Sequence, residues 1–240
     1  MWRFWLQCSI SAFLWAQSSV IEPFPHSLAI SPFIHTYGWG ISVMGQSWKS
    51  ARHGFFWIGA LTSYRTKYEA RTRSAYRDQG GKDYVFGKLY YAYLSDFILG
   101  YQYIIAPRTV TTPLQVSLQG GIGPTFVLLK PYYIEVAVPI SSTQAVIQVD
   151  TYDPNRHSYY DIVGEADFYL GFDKIRGVPG LTVQGGILVD VGREPSIIRG
   201  FTLGGRFQSF VRPIQTLYGR PGRTYWVSGY IAFYIGNAWR

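Results

Sequence analysis

The stretch Leu114-Gln115-Val116-Ser117-Leu118-Gln119-Gly120-Gly121-Ile122-Gly123 decides the class of fold. Leu114, Val116, Leu118 and Ile122 share one parity, while Gln115, Ser117, Gln119, Gly121 and Gly123 share the other. Side chains of a strand point alternately to its two faces, so this period describes a ribbon that is greasy on one side and polar or tiny on the other. The scheme recurs three times. Leu181, Val183, Ile187 and Val189 alternate with Thr182, Gln184, Gly186 and Asp190. Phe201, Leu203 and Phe207 alternate with Thr202, Gly204, Arg206 and Gln208. Tyr225, Val227, Ile231, Phe233 and Ile235 alternate with Trp226, Ser228, Tyr230, Ala232 and Tyr234.

Working outward, Phe97, Leu99, Tyr101, Tyr103 and Ile105 against Asp96, Gly100 and Gln102 form a further strand. Leu28, Ile30 and Ile34 lie in one register and Ile41 and Val43 in the other, which predicts a bulge or turn near Tyr37-Gly38-Trp39-Gly40. Residues 55–64 and 84–93 also read as strands, and 161–174 fits a short helix equally well. The densely charged 65–83 and the turn-rich 139–160 read as long loops. No linker or repeat divides the chain, so a single domain is the economical reading.

Composition narrows the class. Charged residues are 15% of the 240, against about 25% in ordinary soluble domains. Aromatics are 18%, with 20 Tyr, and Gly contributes 26 residues. No stretch reaches the roughly 18 apolar residues of a membrane-spanning helix. A soluble sandwich or lipocalin-like barrel would cover the greasy faces with protein and carry charge on the others. Here the non-apolar faces are Gly, Ser, Thr, Gln and Tyr. A closed antiparallel transmembrane β-barrel of about 8–10 strands inverts the arrangement, with apolar residues facing lipid and small polar ones in the lumen. Tyr37, Trp39, Trp57, Tyr101, Tyr103, Tyr225, Trp226 and Trp239 are candidates for its interfacial girdles. Asp190, Arg206, Asp96 and Gln119 are candidates for a hydrogen-bonded lumen network.

Residues 1–16, with Arg3 followed by an apolar run to Ala16, read as a secretory signal that leaves a mature barrel domain of 17–240. The one cysteine, Cys8, lies inside that segment, so neither a disulfide nor a thiolate metal site is expected.

His35-Thr36-Tyr37-Gly38-Trp39-Gly40, Tyr84-Val85-Phe86-Gly87-Lys88-Leu89, Leu129-Lys130-Pro131-Tyr132-Tyr133-Ile134-Glu135 and Tyr234-Ile235-Gly236-Asn237-Ala238-Trp239 give the chain a likeness of a different kind. Through them it resembles small outer-membrane β-barrel proteins of the Bacteroidota. The final aromatic alternation resembles the signal such barrels present to their assembly machinery, although Arg240 and not an aromatic is terminal. The resemblance implies an outer-membrane location and this fold. As a hypothesis, it also implies a non-enzymatic role as a structural or accessory subunit of an envelope assembly or secretion complex.

Sites of chemistry are sparse. His26, His35, His53 and His157 lack a second histidine at metal-ligand spacing. His157-Ser158 beside Asp153 and Asp161 holds the residue types of a hydrolase, but triads are set by geometry and not by sequence proximity. It supports the alternative of a lipid or lipid A modifying enzyme; a narrow channel is the other. Asp150, Asp153, Asn155 and Asp161 lack the spacing of a calcium loop. Residues 120–124 lie within a strand and open no helix, so they are no phosphate cradle. The expected reading assigns no catalytic, cofactor or metal residues. Expected partners are outer-membrane lipids, lipopolysaccharide and other envelope proteins, with no nucleic acid; 65–83, with Tyr64, Tyr68, Tyr76 and Tyr84, is the candidate contact for anionic head groups.

Overall fold

Strand pairing converts the period of two into a wall with an inside and an outside. The computed structural model describes residues 20–240, apart from 111, 142, 143, 154, 193 and 195. The expected signal segment and Cys8 lie outside the described residues. The strands are β1 His26–His35, β2 Gly38–Trp48, β3 His53–Tyr64, β4 Arg71–Thr72, β5 Tyr84–Val85, β6 Tyr90–Ala106, β7 Leu114–Pro131, β8 Tyr133–Pro139, β9 Ala145–Thr151, β10 Ile162–Glu165, β11 Arg176–Val191, β12 Ile197–Ile214 and β13 Arg223–Trp239. Eight of them close a barrel in the order β1-β13-β12-β11-β7-β6-β3-β2. Each pair is antiparallel, and β1 seals the wall against β13 from His26↔Trp239 to His35↔Tyr230.

The alternation reads directly onto this wall. Leu181, Val183, Ile187, Leu203, Phe207, Val227 and Phe233 face out and are exposed, while Thr182, Gln184, Thr202, Arg206, Gln208 and Ser228 are buried inside. Among the described residues no helix is long and apolar enough to cross a membrane.

The parity change between β1 and β2 is a tight turn at Thr36 and Tyr37. That turn, the segments 65–89 and 132–175, and 215–222 gather at one end of the barrel. The opposite end has the short connections 49–52, 107–113 and 192–196, together with residues 20–25 and Arg240. The wall is uneven. β1 and β2 have 10 and 11 residues, near the 9–11 that cross a bilayer, whereas β7 and β12 have 18. The tall side carries the long connections.

Three local expectations are corrected. Residues 139–160 are not all loop: β8, β9 and β10 form a three-stranded sheet in the order β10-β8-β9. Residues 161–174 form no α-helix, but β10 and a single 3-10 turn at Phe172–Lys174. The strand read at 84–93 is split, with Tyr84–Val85 pairing Arg71–Thr72 outside the barrel and the wall beginning only at Tyr90.

A small lumen coils its strands tightly. A Cβ on inward Gly123 would lie 1.9 Å from the Phe97 carbonyl oxygen, whereas one on outward Gly185 would meet nothing nearer than 3.7 Å. Gly123→Ala should therefore lower the free energy of unfolding by about 1–3 kcal/mol. Gly185→Ala should change it by less than about 0.5 kcal/mol. Urea titrations of the refolded chain in detergent check both values.

Candidate functional site

The lumen comes first, because it is where the inward polar side chains meet one another. Asp96 on β6 accepts from Arg206 Nη1 at 2.8 Å and from Gln208 Nε2 at 2.9 Å. Arg206 Nη2 donates to Gln184 Oε1 at 3.0 Å, and its guanidinium lies 5.4 Å from the ring centroids of both Phe33 and Tyr230. Nearer the short-connection end, Gln119 donates to Thr202 at 3.3 Å, and Gln46 donates to Gln102 at 3.1 Å while accepting from Ser27 at 2.8 Å. Toward the long-loop end, Tyr64 stacks on Trp226 with centroids 3.8 Å apart, and Phe210 packs edgewise on the same indole.

The expected lumen network is present around Asp96 and Arg206. Asp190 stands apart from it, paired with Arg108 at 2.8 Å at the short-connection mouth. Arg108 was not foreseen; it lies in a turn, where no alternation marks which way it points. Residues 20–25 cross the same mouth, with the Ile21 N–H donating to the Arg108 carbonyl at 2.9 Å. The two cavities lined by lumen residues measure ≈ 30 and ≈ 10 Å³. These are spaces for about one or two waters, too small for a diffusing solute.

The girdle expectation divides. Trp39, Trp57, Tyr101, Tyr225 and Trp239 are exposed on the outer wall, with Trp39 and Tyr225 toward the long-loop end and the others toward the opposite one. Trp226 is a correction: it is 4% exposed and fills the lumen, because it follows outward Tyr225 and must point the other way. Tyr37 is also removed from the wall, half-buried against Tyr64 at 4.9 Å.

At the long-loop end, 65–89 and 132–175 pack into a cap. Its base holds two buried lysines. Lys88 pairs with Glu69 at 2.6 Å, and Lys130 donates to the carbonyls of Phe168 and Leu170 at 2.8 and 2.9 Å. Lys88 Nζ also lies 4.1 Å from the Tyr91 ring centroid, and the Tyr91 hydroxyl donates to Glu165. The Tyr132 hydroxyl accepts from the Val85 N–H at 3.0 Å. Burial raises the Tyr84 hydroxyl to about 12, with Tyr159 adding to the effect, and pushes Tyr132 upward too. Both therefore remain protonated at neutral pH. The 84–89 and 129–135 segments are thus the cap's framework. The charged stretch 65–83 is folded into that framework as well, with exposed pairs Arg77–Asp83 and Lys82–Asp167 at 3.8 and 3.4 Å.

The residues around His157 close a turn. His157 Nδ1 accepts from the Asp153 N–H at 3.1 Å, and its Nε2 lies 3.7 Å from Asp150 Oδ2. Asp161 Oδ2 accepts from the Ser158 N–H at 3.0 Å, and Asp153 Oδ1 from the Asn155 N–H at 2.9 Å. Among the described residues no hydrogen bond joins the Ser158 hydroxyl to His157, so no nucleophile is aligned on a base. No group of three or more His, Cys, Asp or Glu placed to hold a metal occurs among the described residues. His35 contacts the Ser63 carbonyl at 3.3 Å, as a wall residue would, and Gly120–Pro124 lie within β7.

No protein-family model matches the chain, and a sequence search of curated proteins returns no match. Solved structures do match in shape. Ail, the attachment invasion locus protein of Yersinia pestis, aligns over 90% of this chain and 99% of its own at 11% identity and a TM-score of 0.40. Neisserial surface protein A aligns over 89% and 96% at 8% identity and 0.38. The N-terminal β-barrel domain of Pseudomonas aeruginosa OprF aligns over 87% and 96% at 8% identity and 0.34. At these values the activities and ligands of those proteins do not transfer, and the fold assignment rests on the chain's own strand register.

Removing one member of a buried charge pair leaves the other uncompensated, at a cost of about 3–5 kcal/mol. Arg206→Met alone should lower the urea midpoint of the refolded barrel by a corresponding amount. Arg206→Met with Asp96→Leu should recover most of the loss, and equal midpoints for wild type and the single variant would contradict the role given to the pair.

Proposed function

We propose that this chain is a non-enzymatic outer-membrane barrel that serves as a structural or accessory subunit of an envelope complex, binding its partners through the cap. The supporting observation is β9. It is an edge of the three-stranded cap sheet, paired with β8 on one side only. Val146, Ile147 and Val149 are exposed along it, Ile147 by 60%, and Ile140 stands exposed at the hairpin beside them. An unpaired apolar edge is a template for another chain, and monomeric proteins blunt such edges with charge, proline or a bulge. From Ala145 to Val149 this one has none of those devices.

The rest of the molecule is consistent with a scaffold. A hydrocarbon layer wetting the outward residues accounts for their exposure, with lipids and lipopolysaccharide as neighbours. Barrels of this kind keep short turns on the periplasmic side and long loops outside, which directs the cap to the cell exterior. A lumen filled by paired side chains favours neither a channel nor a solute site. The Bacteroidota likeness of the sequence supports the same assignment.

Affinity purification of the full chain in mild detergent should recover a stoichiometric protein partner. Val146→Lys with Ile147→Lys should remove that partner while the barrel still resists denaturant unless boiled. Retention of the partner by this variant, or a lipid profile altered by His157→Ala with Ser158→Ala, would overturn the assignment.

A further inference from the structure

At the long-loop end, on the barrel rim, a cleft of ≈ 380 Å³ opens between the Thr36–Tyr37 turn, residues 64–68 and the β12–β13 connection. That volume lies within the roughly 300–1,000 Å³ of small-molecule sites. Tyr64 and Trp226, stacked on one another, form its buried aromatic floor. Tyr37 and Tyr68 also line it, and both keep part of their rings open to solvent. Lys67, Arg220 and Arg223 supply three cations, and no acidic side chain lines the cleft.

Among the described residues none of these three cations forms an ion pair with a carboxylate, unlike Lys88 and Arg206 in the same molecule. Arg220 instead lies over the Tyr68 ring, its guanidinium carbon 4.0 Å from the centroid. That contact holds the guanidinium in place with its N–H groups free to donate. The nearby Glu69 is already engaged by Lys88 at 2.6 Å. Thr36, exposed at the edge of the cleft, lines it as well.

Unneutralised arginines beside aromatic rings and an exposed hydroxyl describe a ligand with an anionic group, an apolar face and hydroxyls of its own. We infer that this rim cleft binds a phosphorylated sugar. The phosphate lies between Arg220 and Arg223, where planar guanidinium groups take two oxygens at once. The C–H face of the ring packs on the exposed tyrosines, and a sugar hydroxyl meets Thr36. The source of that sugar is either the phosphorylated headgroup of a glycolipid or a free sugar phosphate. The inference rests on the cap end being solvent-facing and not on the protein partner of β9, so the two readings fail separately.

Calorimetry on the full chain in a polyoxyethylene detergent, which carries neither sugar nor phosphate, tests the site. Glucosamine 6-phosphate should bind saturably at one site per chain, with glucosamine and inorganic phosphate each at least about tenfold weaker. Arg220→Ala with Arg223→Ala should weaken the sugar phosphate by about tenfold or more, as expected for lost charged hydrogen bonds. Arg176→Ala, an exposed cation at the same end but outside the cleft, should leave binding unchanged. Resistance of each variant to unfolding until boiled verifies that the barrel is intact. Competition by lipopolysaccharide micelles assigns the sugar to a glycolipid, and binding without competition assigns it to a free sugar; both uphold the site. Absence of saturable binding, equal binding of phosphate or of hexaglutamate, or undiminished binding by the double variant would overturn it.

Discussion

In the proposed bilayer setting every peptide N–H and C=O in the wall must be hydrogen-bonded to another strand, because hydrocarbon offers no alternative partner. An open sheet leaves two rows of such groups unsatisfied; a closed one leaves none. The β1–β13 seam is therefore the junction on which the remaining structure depends, and its pairing runs from His26↔Trp239 to His35↔Tyr230. Closure with eight strands makes the lumen narrow. The narrowness in turn selects what can point inward: glycine where strands coil closely, and amides, hydroxyls and one compensated charge pair elsewhere.

The two ends answer different demands. At the short-connection end, Arg108, Asp190 and the 20–25 segment finish the wall with little chain. At the other, strands longer than a bilayer needs raise the cap, whose base is held by Lys88, Lys130, Tyr91, Tyr132 and Glu165. Burying two lysines is tolerable only because each is satisfied, one by a carboxylate and one by carbonyls, with aromatic faces around them. The result is a packed cap that carries β9, with the rim cleft beside it.

How much of this was legible in the sequence depends on contrast between faces. Residues 114–123, 181–190, 201–208 and 225–235 alternate sharply because one side is the apolar outer face and the other a polar lumen, and all four are wall strands. Asp96, Arg206 and Gln119 followed from the same parity. β9 is not legible as a strand because both of its faces are exposed, so no alternation separates Val146 from Ile147. The 161–174 stretch misled for a similar reason: β10 is four residues long, too short for any period to declare itself. Trp226 has the residue type of a girdle, but parity opposes it to outward Tyr225, and register outweighs residue type. The rim cleft was invisible, since Lys67, Arg220 and Trp226 are brought together only by barrel closure.

The central claim is that hydrocarbon, and not a second protein layer, covers the outward residues. Replacing Cys8 by serine leaves the chain without cysteine, so single cysteines at 201–208 on β12 can carry nitroxide labels in liposomes. The account predicts that labels at Phe201, Leu203, Gly205 and Phe207 relax strongly with lipid-soluble oxygen and weakly with an aqueous nickel chelate, while those at Thr202 and Gln208 respond little to oxygen. Labels that respond to the aqueous reagent at the outward positions, or show no alternation, would contradict it.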